Sequence, residues 1–337
     1  MNIIIPVAGL GTRLRPQTWS KPKPLVSVAG KPVLGHVLDR LLTLPIDKVV
    51  FVTGYLGDQI EDYVRQNYRF DATFVEQKDQ LGQSHAIIQA RGEVTGPTLV
   101  VFPDMLFEAN LDQIAELTAD GALFVKEVDD PRRFGVIEVE NGRITRLVEK
   151  PETMVSNLAI VGIYYFRAVE DLFDAIDYQM AHNIQTKGEY FLADAIQHMI
   201  DQGTHFTYLP VTVWEDCGNA KALLNTNRYL LERLGNHVPD IPGAVIVPPV
   251  VIDPTATIRN AVIGPYASIG ARVTIDNSIV TDSIVDEGAE IETVMLTRSI
   301  VGRDAFVRGY FMQVNVGDSS DITLAGGNHI EGVQPRD

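Results

Sequence analysis

From residue 252 onward an aliphatic residue returns about every six positions, at Ile252, Ile258, Ile263, Ile269 and Ile275. Small or turn residues sit between, as in IGPYAS and IGARVT. Few folds accept that period. It is neither the 3.6 of a helix nor the two of an ordinary strand, and repetition at a hexapeptide period marks a parallel β-helix. Each repeat gives one short strand on one flat side of a prism, its aliphatic side chain pointing inward. One coil cannot bury a core alone, so coils stack. Ile279, Ile284, Ile291, Leu296, Ile300 and Val307 extend the series with looser spacing. An ordinary Ile/Val-rich sheet is the alternative, but strict alternation is absent. The inward isoleucines are expected to stack as a continuous ladder, with Val262, Tyr266 and Ala267 on outer faces.

Upstream the texture differs. Ile3 to Val7, Lys48 to Thr53 and Leu99 to Phe102 read as buried strands. Pro32 to Leu44 and Asp58 to Tyr68 read as helices, the first with Val33, Val37, Leu38, Leu41 and Leu42 on one side. Strands alternating with helices imply a mostly parallel sheet covered on both faces. Such sheets bind ligands in loops beyond the carboxyl ends of their strands. Helical periodicity continues over Asn219–Leu234, and then Pro239, Pro242, Pro248, Pro249 and Pro254 mark a linker and a new architecture. The predicted division is a catalytic domain over 1–236, a hexapeptide-repeat domain over 237–316 and a polar tail over 317–337.

The net charge of −16 disfavours nucleic acid and anionic membrane as partners. An anionic small substrate would need a local cluster of Lys and Arg. A single cysteine, Cys217, cannot form an internal disulfide and fits a reducing compartment. No apolar run has transmembrane length, and the start MNIIIPVAGLG lacks the features of a signal peptide. A cytoplasmic enzyme or binding protein is expected.

The cationic cluster follows the first strand, in Ala8-Gly9-Leu10-Gly11-Thr12-Arg13-Leu14-Arg15-Pro16. Glycines let backbone N–H groups approach a phosphate, Thr12 adds a hydroxyl donor, and Arg13 can grip phosphate oxygens with its planar fork. Lys21 and Lys23 in SKPKPL add two cations; the bland reading is a solvated loop. The loop is neither a P-loop nor G-x-G-x-x-G.

The stretch AGLGTRLRPQTWSKPKPLVSVAGKPVL resembles the signature of sugar-1-phosphate nucleotidylyltransferases, in particular glucose-1-phosphate thymidylyltransferases and uridylyltransferases. The likeness continues to about Leu234, and the repeat resembles the short β-helix of the longer members. The resemblance implies an α/β fold: a Rossmann-like nucleotidyltransferase domain with a mixed, mostly parallel sheet, then a short left-handed parallel β-helix. It implies Mg²⁺ as cofactor, a nucleoside triphosphate and a sugar 1-phosphate as substrates, and a homo-oligomer. Ala8, Gly9, Gly11 and Thr12 match the triphosphate loop, and Arg13 and Lys23 its catalytic cations. Gln77, in VEQKDQLGQSHA, matches the reader of a pyrimidine base, with Gly82 assisting. Asp104, after LVVFP, and Asp216, in VWEDCG, match the metal aspartates. Gly135, Glu149, Gly162, Glu189 and Trp214 match sugar contacts, and Lys150 the holder of the sugar phosphate. Leu10 replaces a glycine usual in the loop, and Pro103 a glycine often found before the first aspartate in thymidylyl enzymes. Both departures bear on the base and leave the chemistry intact.

These residues suit an in-line displacement at the α-phosphorus. The attacking phosphate oxygen is already ionised, so no general base is needed. The obstacle is repulsion between two polyanions, about 4 kcal/mol per charge pair at 4 Å and an effective dielectric near 20. Cations and a metal ion remove it. Each residue also has a bland reading: Asp104 and Asp216 as turn or cap residues, Glu149 and Lys150 as surface charge, Gln77 as merely polar. Cys217 reads as a small buried residue. The seven histidines (His36, His85, His182, His198, His205, His237 and His329) show no metal spacing, and none is assigned chemistry. Two other readings compete. One adds acyl transfer in the β-helix, although the only histidine after Pro239 is His329. The other is an inactive regulatory or scaffolding relative, against which Arg13, Lys23, Asp104 and Asp216 are all present.

Overall fold

The computed structural model describes residues 1–235 and 239–309. The expected domain boundary at 236/237, His237, the tail 317–337 and His329 lie outside the described residues. The first architecture is built on a nine-stranded sheet. Its order is Arg143–Glu149, Gly135–Glu140, Leu158–Phe166, Thr98–Val101, Asn2–Pro6, Lys48–Thr53 and Ala72–Glu76, and Gly121–Glu127 joins Leu158–Phe166 to Phe206–Pro210. The expected parallel arrangement holds for Asn2–Pro6, Lys48–Thr53, Ala72–Glu76 and Thr98–Val101. Beyond Thr98–Val101 the sheet turns antiparallel, because Leu158–Phe166 runs against three neighbours.

The strands read as unbroken apolar runs because both sheet faces are covered. Ile3, Ile5, Val49, Phe51, Leu99 and Val101 enter one core, under the helices Val33–Leu41 and Gly57–Asn67. Their neighbours Ile4, Val50, Val52 and Val100 enter the other, under Val169–Ala181 and Leu192–Asp201. The period of two thus divides one apolar run between two cores. Among the described residues no helix is long and apolar enough to cross a membrane.

The repeat region forms three parallel sheets of four short strands each, as a β-helix requires. Its inward residues make three ladders and not the single one expected. Ile246, Ile263, Val280 and Leu296 stack on one side, Ile252, Ile269, Val285 and Val301 on the second, and Ile258, Ile275, Ile291 and Val307 on the third. Successive hexapeptides occupy successive sides, so a residue stacks on one a full coil away. Corners take left-handed backbone at Asn260, Tyr266, Arg272, Asn277 and Asp282, among others.

Two expectations are corrected here. Ala267 lies inside, because it shares the strand parity of Ile269. Ile279, Ile284 and Ile300 precede the inward residues Val280, Val285 and Val301 and face outward. The outward position suits Ile284 and Ile300, which join the apolar core that also holds Leu14, Leu25 and Val26. The β-helix therefore docks one side against the catalytic domain. Polar contacts reinforce the seam. Arg228 grips Asp282 with two bonds of 2.6 and 2.7 Å. Asn227 Oδ1 accepts from the amide of Ala29 and from Ser268 Oγ, at 2.8 and 2.6 Å.

Candidate active site

The loop after the first strand folds back on itself. Gly11 has φ +62°, and a Cβ there would stand 2.8 Å from Lys23 Cβ. Only glycine combines that left-handed backbone with so close an approach. Thr18 Oγ1 donates to the Gly11 carbonyl at 2.8 Å and closes the loop. The chain then enters a short 3₁₀ turn, Thr12–Leu14, with Thr12 and Arg13 exposed. The first α-helix starts only at Val33, so the loop's own amides and cations carry whatever anion binding it has.

A cavity of about 270 Å³ opens beside this loop, and Ala8, Gly9, Lys23, Gln77, Gly82, Asp104 and Glu189 all line it. Gly82 begins the short helix Gln83–Ile88 with φ +120°, and a Cβ there would lie 2.6 Å from the Tyr190 amide nitrogen. Gln77 is almost fully buried; its Nε2 donates to the Gly82 carbonyl at 3.3 Å and lies 3.0 Å from His85 Nδ1.

A two-stranded antiparallel ladder brings the backbone at Asp104 alongside that at Asp216. Met105–Glu108 pairs with Val213–Asp216, with Met105 opposite Asp216, and the Cys217 amide donates to the Asp104 carbonyl at 3.0 Å. Lys23 Nζ donates to Asp104 Oδ2 at 2.9 Å. Asp216 Oδ1 accepts the Gly218 amide at 2.6 Å. A Cβ at Gly218 would stand 2.7 Å from that carboxylate oxygen and 3.2 Å from Arg13 Nη2. Gly218 thus keeps open the space between Arg13 and Asp216. No group of three or more His, Cys, Asp or Glu side chains converges among the described residues. Two hard carboxylates, one of them half-exposed, match an ion such as Mg²⁺, which keeps waters and shares substrate phosphates.

The expected sugar-side residues Gly135, Glu149, Lys150, Gly162 and Trp214 do not line this cavity, and Gly162 reaches its wall through Phe102. Gly162 interrupts the strand Leu158–Phe166 with φ +89°; its carbonyl accepts the Phe102 amide at 2.9 Å, and Phe102 lines the cavity. Gly135 leaves room for Glu149, whose Oε2 lies 2.8 Å from where a Cβ would stand. Lys150 has a left-handed backbone at φ +47°, its amide donates to Phe134, and its ammonium lies 4.8 Å from the centre of the Phe191 ring. Phe134 also packs on Trp214, ring centres 4.6 Å apart. Burial pushes the Glu149 carboxyl above the ordinary carboxylate range; Lys150 opposes the rise and Asp194 adds to it. Cys217 is buried and its thiol is pushed up to about 12, chiefly by desolvation, so it stays a neutral thiol.

Lys21 departs from both sequence readings. It is neither a phosphate cation nor a solvated residue: it is buried, and its Nζ lies 2.5 Å from Asp286 Oδ2 in the β-helix. The sequence reading also missed Gln80, whose Nε2 donates to the Ala8 carbonyl at 2.6 Å, as well as Phe134 and His85. Gln80 and His85 lie in the same short stretch as Gln77, but nothing in their spacing sets them apart.

The nucleotidyl transferase family matches residues 2–233. A glucose-1-phosphate thymidylyltransferase of Streptomyces antibioticus is 32% identical over 339 residues, covering 94% of this chain and 93% of its own length. A bifunctional GlmU protein of Methanococcus maripaludis is 33% identical over 237 residues. That match covers 69% of this chain but only 55% of the relative, so the chain spans about half of that protein. Among solved structures, a UDP-glucose pyrophosphorylase with bound UDP-glucose superposes with a TM-score of 0.60 at 21% identity, over 69% of this chain and 98% of that one.

Proposed function

The chain belongs to the nucleotidyl transferase family, among its sugar-1-phosphate nucleotidylyltransferases, and on that premise we propose that it transfers the nucleotidyl group of dTTP or UTP to glucose 1-phosphate. The products are dTDP-glucose or UDP-glucose and pyrophosphate. One observation carries the reading most: a single cavity lined by the glycine loop, Lys23, Gln77 and Asp104. The similarity to a thymidylyltransferase along nearly the whole chain favours dTTP and glucose 1-phosphate.

In this reading Ala8, Gly9, Gly11 and Thr12 cradle the triphosphate, and Arg13 neutralises the leaving pyrophosphate. Gln77, held by the Gly82 carbonyl and His85, turns the rest of its amide to the imide edge of the base. Glu149 accepts from a sugar hydroxyl; Gly135, Gly162, Glu189 and Trp214 shape the sugar side; Lys150 holds the sugar phosphate. One oxygen of that phosphate forms a bond to the α-phosphorus as the bond to the pyrophosphate oxygen breaks in line, and no proton need move. Lys23 sits between the two anions and neutralises charge on both. Asp104 and Asp216 are the residues that would hold Mg²⁺, which when bound supplies further neutralisation of the α-phosphate charge. The low cysteine content supports a cytoplasmic setting, and the family resemblance supports a homo-oligomer.

The test is a matrix of dTTP, UTP, CTP, ATP and GTP against several sugar 1-phosphates, read by pyrophosphate release. dTTP or UTP with glucose 1-phosphate should lead. A pocket built around a C5 methyl discriminates by about 1–3 kcal/mol, so partial use of both is expected. A clear preference for ATP or GTP would overturn the base assignment. The hexapeptide β-helix leaves a second reading, acyl transfer in addition to nucleotidyl transfer, and acetyl-CoA consumption by the full chain tests it.

A further inference from the structure

The seam between the two architectures falls on the segment that carries the phosphate-binding cations. Lys21 lies two residues before Lys23, and 265 positions separate it from its partner Asp286. Pro22 and Pro24 flank Lys23, and Pro22 is fixed at φ −65°, so few soft torsions separate the two lysines. Asp286 is itself oriented: Oδ1 accepts the Glu287 amide at 2.9 Å while Oδ2 meets Lys21. The loop at Gln17 and the following hairpin turn at Gly30 also touch the β-helix. Gln17 Nε2 donates to the Ile300 carbonyl at 3.3 Å, and a Cβ at Gly30 would stand 2.6 Å from Val251.

Resting on the transferase reading above, we infer that Asp286 is a positioning residue for the triphosphate site: through Lys21 it fixes the Pro22–Leu25 turn that aims Lys23 at Asp104. The β-helix is then one wall of the phosphate loop as well as a stabilising module. Lys21 cannot reach substrate itself, because it is buried and its ammonium is committed to Asp286. Removing one member of a buried pair leaves the other charge uncompensated, so the turn should loosen when either is replaced.

The experiment uses the full chain as Asp286→Asn, Lys21→Met and the double variant. Hydrogen exchange without substrate reports the turn directly, through the Leu25 and Val26 amides that donate to Pro22 and Lys23. Both single variants should exchange these amides at least tenfold faster. Both should also raise the triphosphate KM about tenfold or more, leaving the KM for sugar phosphate within twofold. The double variant should be no worse than either single one, the mark of two residues acting through each other. Unchanged exchange overturns the proposal whatever the kinetics. So do additive kinetic losses, which would mean that Lys21 acts on substrate independently, and so does an equal rise in both KM values, which would mean general damage. A wild-type protein that turns over no triphosphate would refute the transferase reading, while the exchange result would still judge the tie between Asp286 and the turn.

Discussion

Lys23 and Asp104, 81 positions apart, meet at 2.9 Å on the wall of the cavity. An ammonium there occupies one oxygen of a carboxylate that is proposed to hold metal. Binding of Mg²⁺ and triphosphate would release Lys23 from Asp104 toward the phosphates. Activity should vanish with EDTA and return with Mg²⁺. Asp104→Asn and Asp216→Asn should each lower kcat strongly, with circular dichroism and unfolding midpoint close to wild type. Near-normal turnover by both variants would show that the metal assignment is wrong.

Arg13 is proposed to act on the leaving pyrophosphate and Lys150 on the sugar phosphate, so their variants should separate. Arg13→Ala should lose on the order of 10²-fold in rate, the scale for deleting one preorganised charge stabiliser. Lys150→Ala should mainly raise the KM for sugar 1-phosphate. If Lys150→Ala instead raised only the triphosphate KM, the two ends of the site would be reversed. Steady-state kinetics with each substrate varied in turn distinguishes the outcomes.

Burial raises the Glu149 carboxyl above its value in the unfolded chain. For an acid raised on folding, the favourable balance is complete below the unfolded pKa, about 4.3, and is lost as pH rises through the folded value. Glu149→Gln removes that loss. The variant should therefore gain stability on the wild type at pH 8, and the gain should shrink towards pH 4, in paired urea titrations. It should also use sugar 1-phosphate poorly, which would make Glu149 a residue kept for function against stability. A stability difference that does not change with pH would remove the electrostatic account.

Ile269 is buried in the middle of one β-helix ladder, between Ile252 and Val285. Ile269→Asp should cost several kcal/mol, because an unpaired charge would be buried, whereas Ile269→Val should cost about 0.5–1.5 kcal/mol. Truncation after Leu234 should destabilise the catalytic part as well, since it uncovers the core that Ile284 and Ile300 share with Leu14 and Leu25. Equal stability of wild type and Ile269→Asp in a denaturant titration would mean that the stack contributes nothing.

By itself the sequence determined the local elements and the chemistry available. Ile3–Val7, Lys48–Thr53 and the helices near Val33 and Asp58 were legible because strand and helix periods are short-range properties of neighbouring residues. The β-helix was legible because its period is repeated. The glycine loop and the resemblance it carries supplied the candidate site residues, of which the fold brings Ala8, Gly9, Lys23, Gln77, Gly82, Asp104 and Glu189 to one cavity.

Only the tertiary structure decided which distant groups meet. Nothing near Asp104 in sequence points to Asp216; the register of Met105–Glu108 on Val213–Asp216 does. The hexapeptide period gave the stack but not its three sides, nor the one-residue shift that turns Ile284 and Ile300 outward onto the catalytic core. Lys21 and Lys23 look alike in SKPKPL, yet one faces Asp286 and the other Asp104. The reason is physical: Lys23 opens the short 3₁₀ turn Lys23–Leu25 while Lys21 precedes it, and the partner each meets is set by how whole elements pack. That packing free energy is summed over many residues far apart in the chain, and no local pattern contains it.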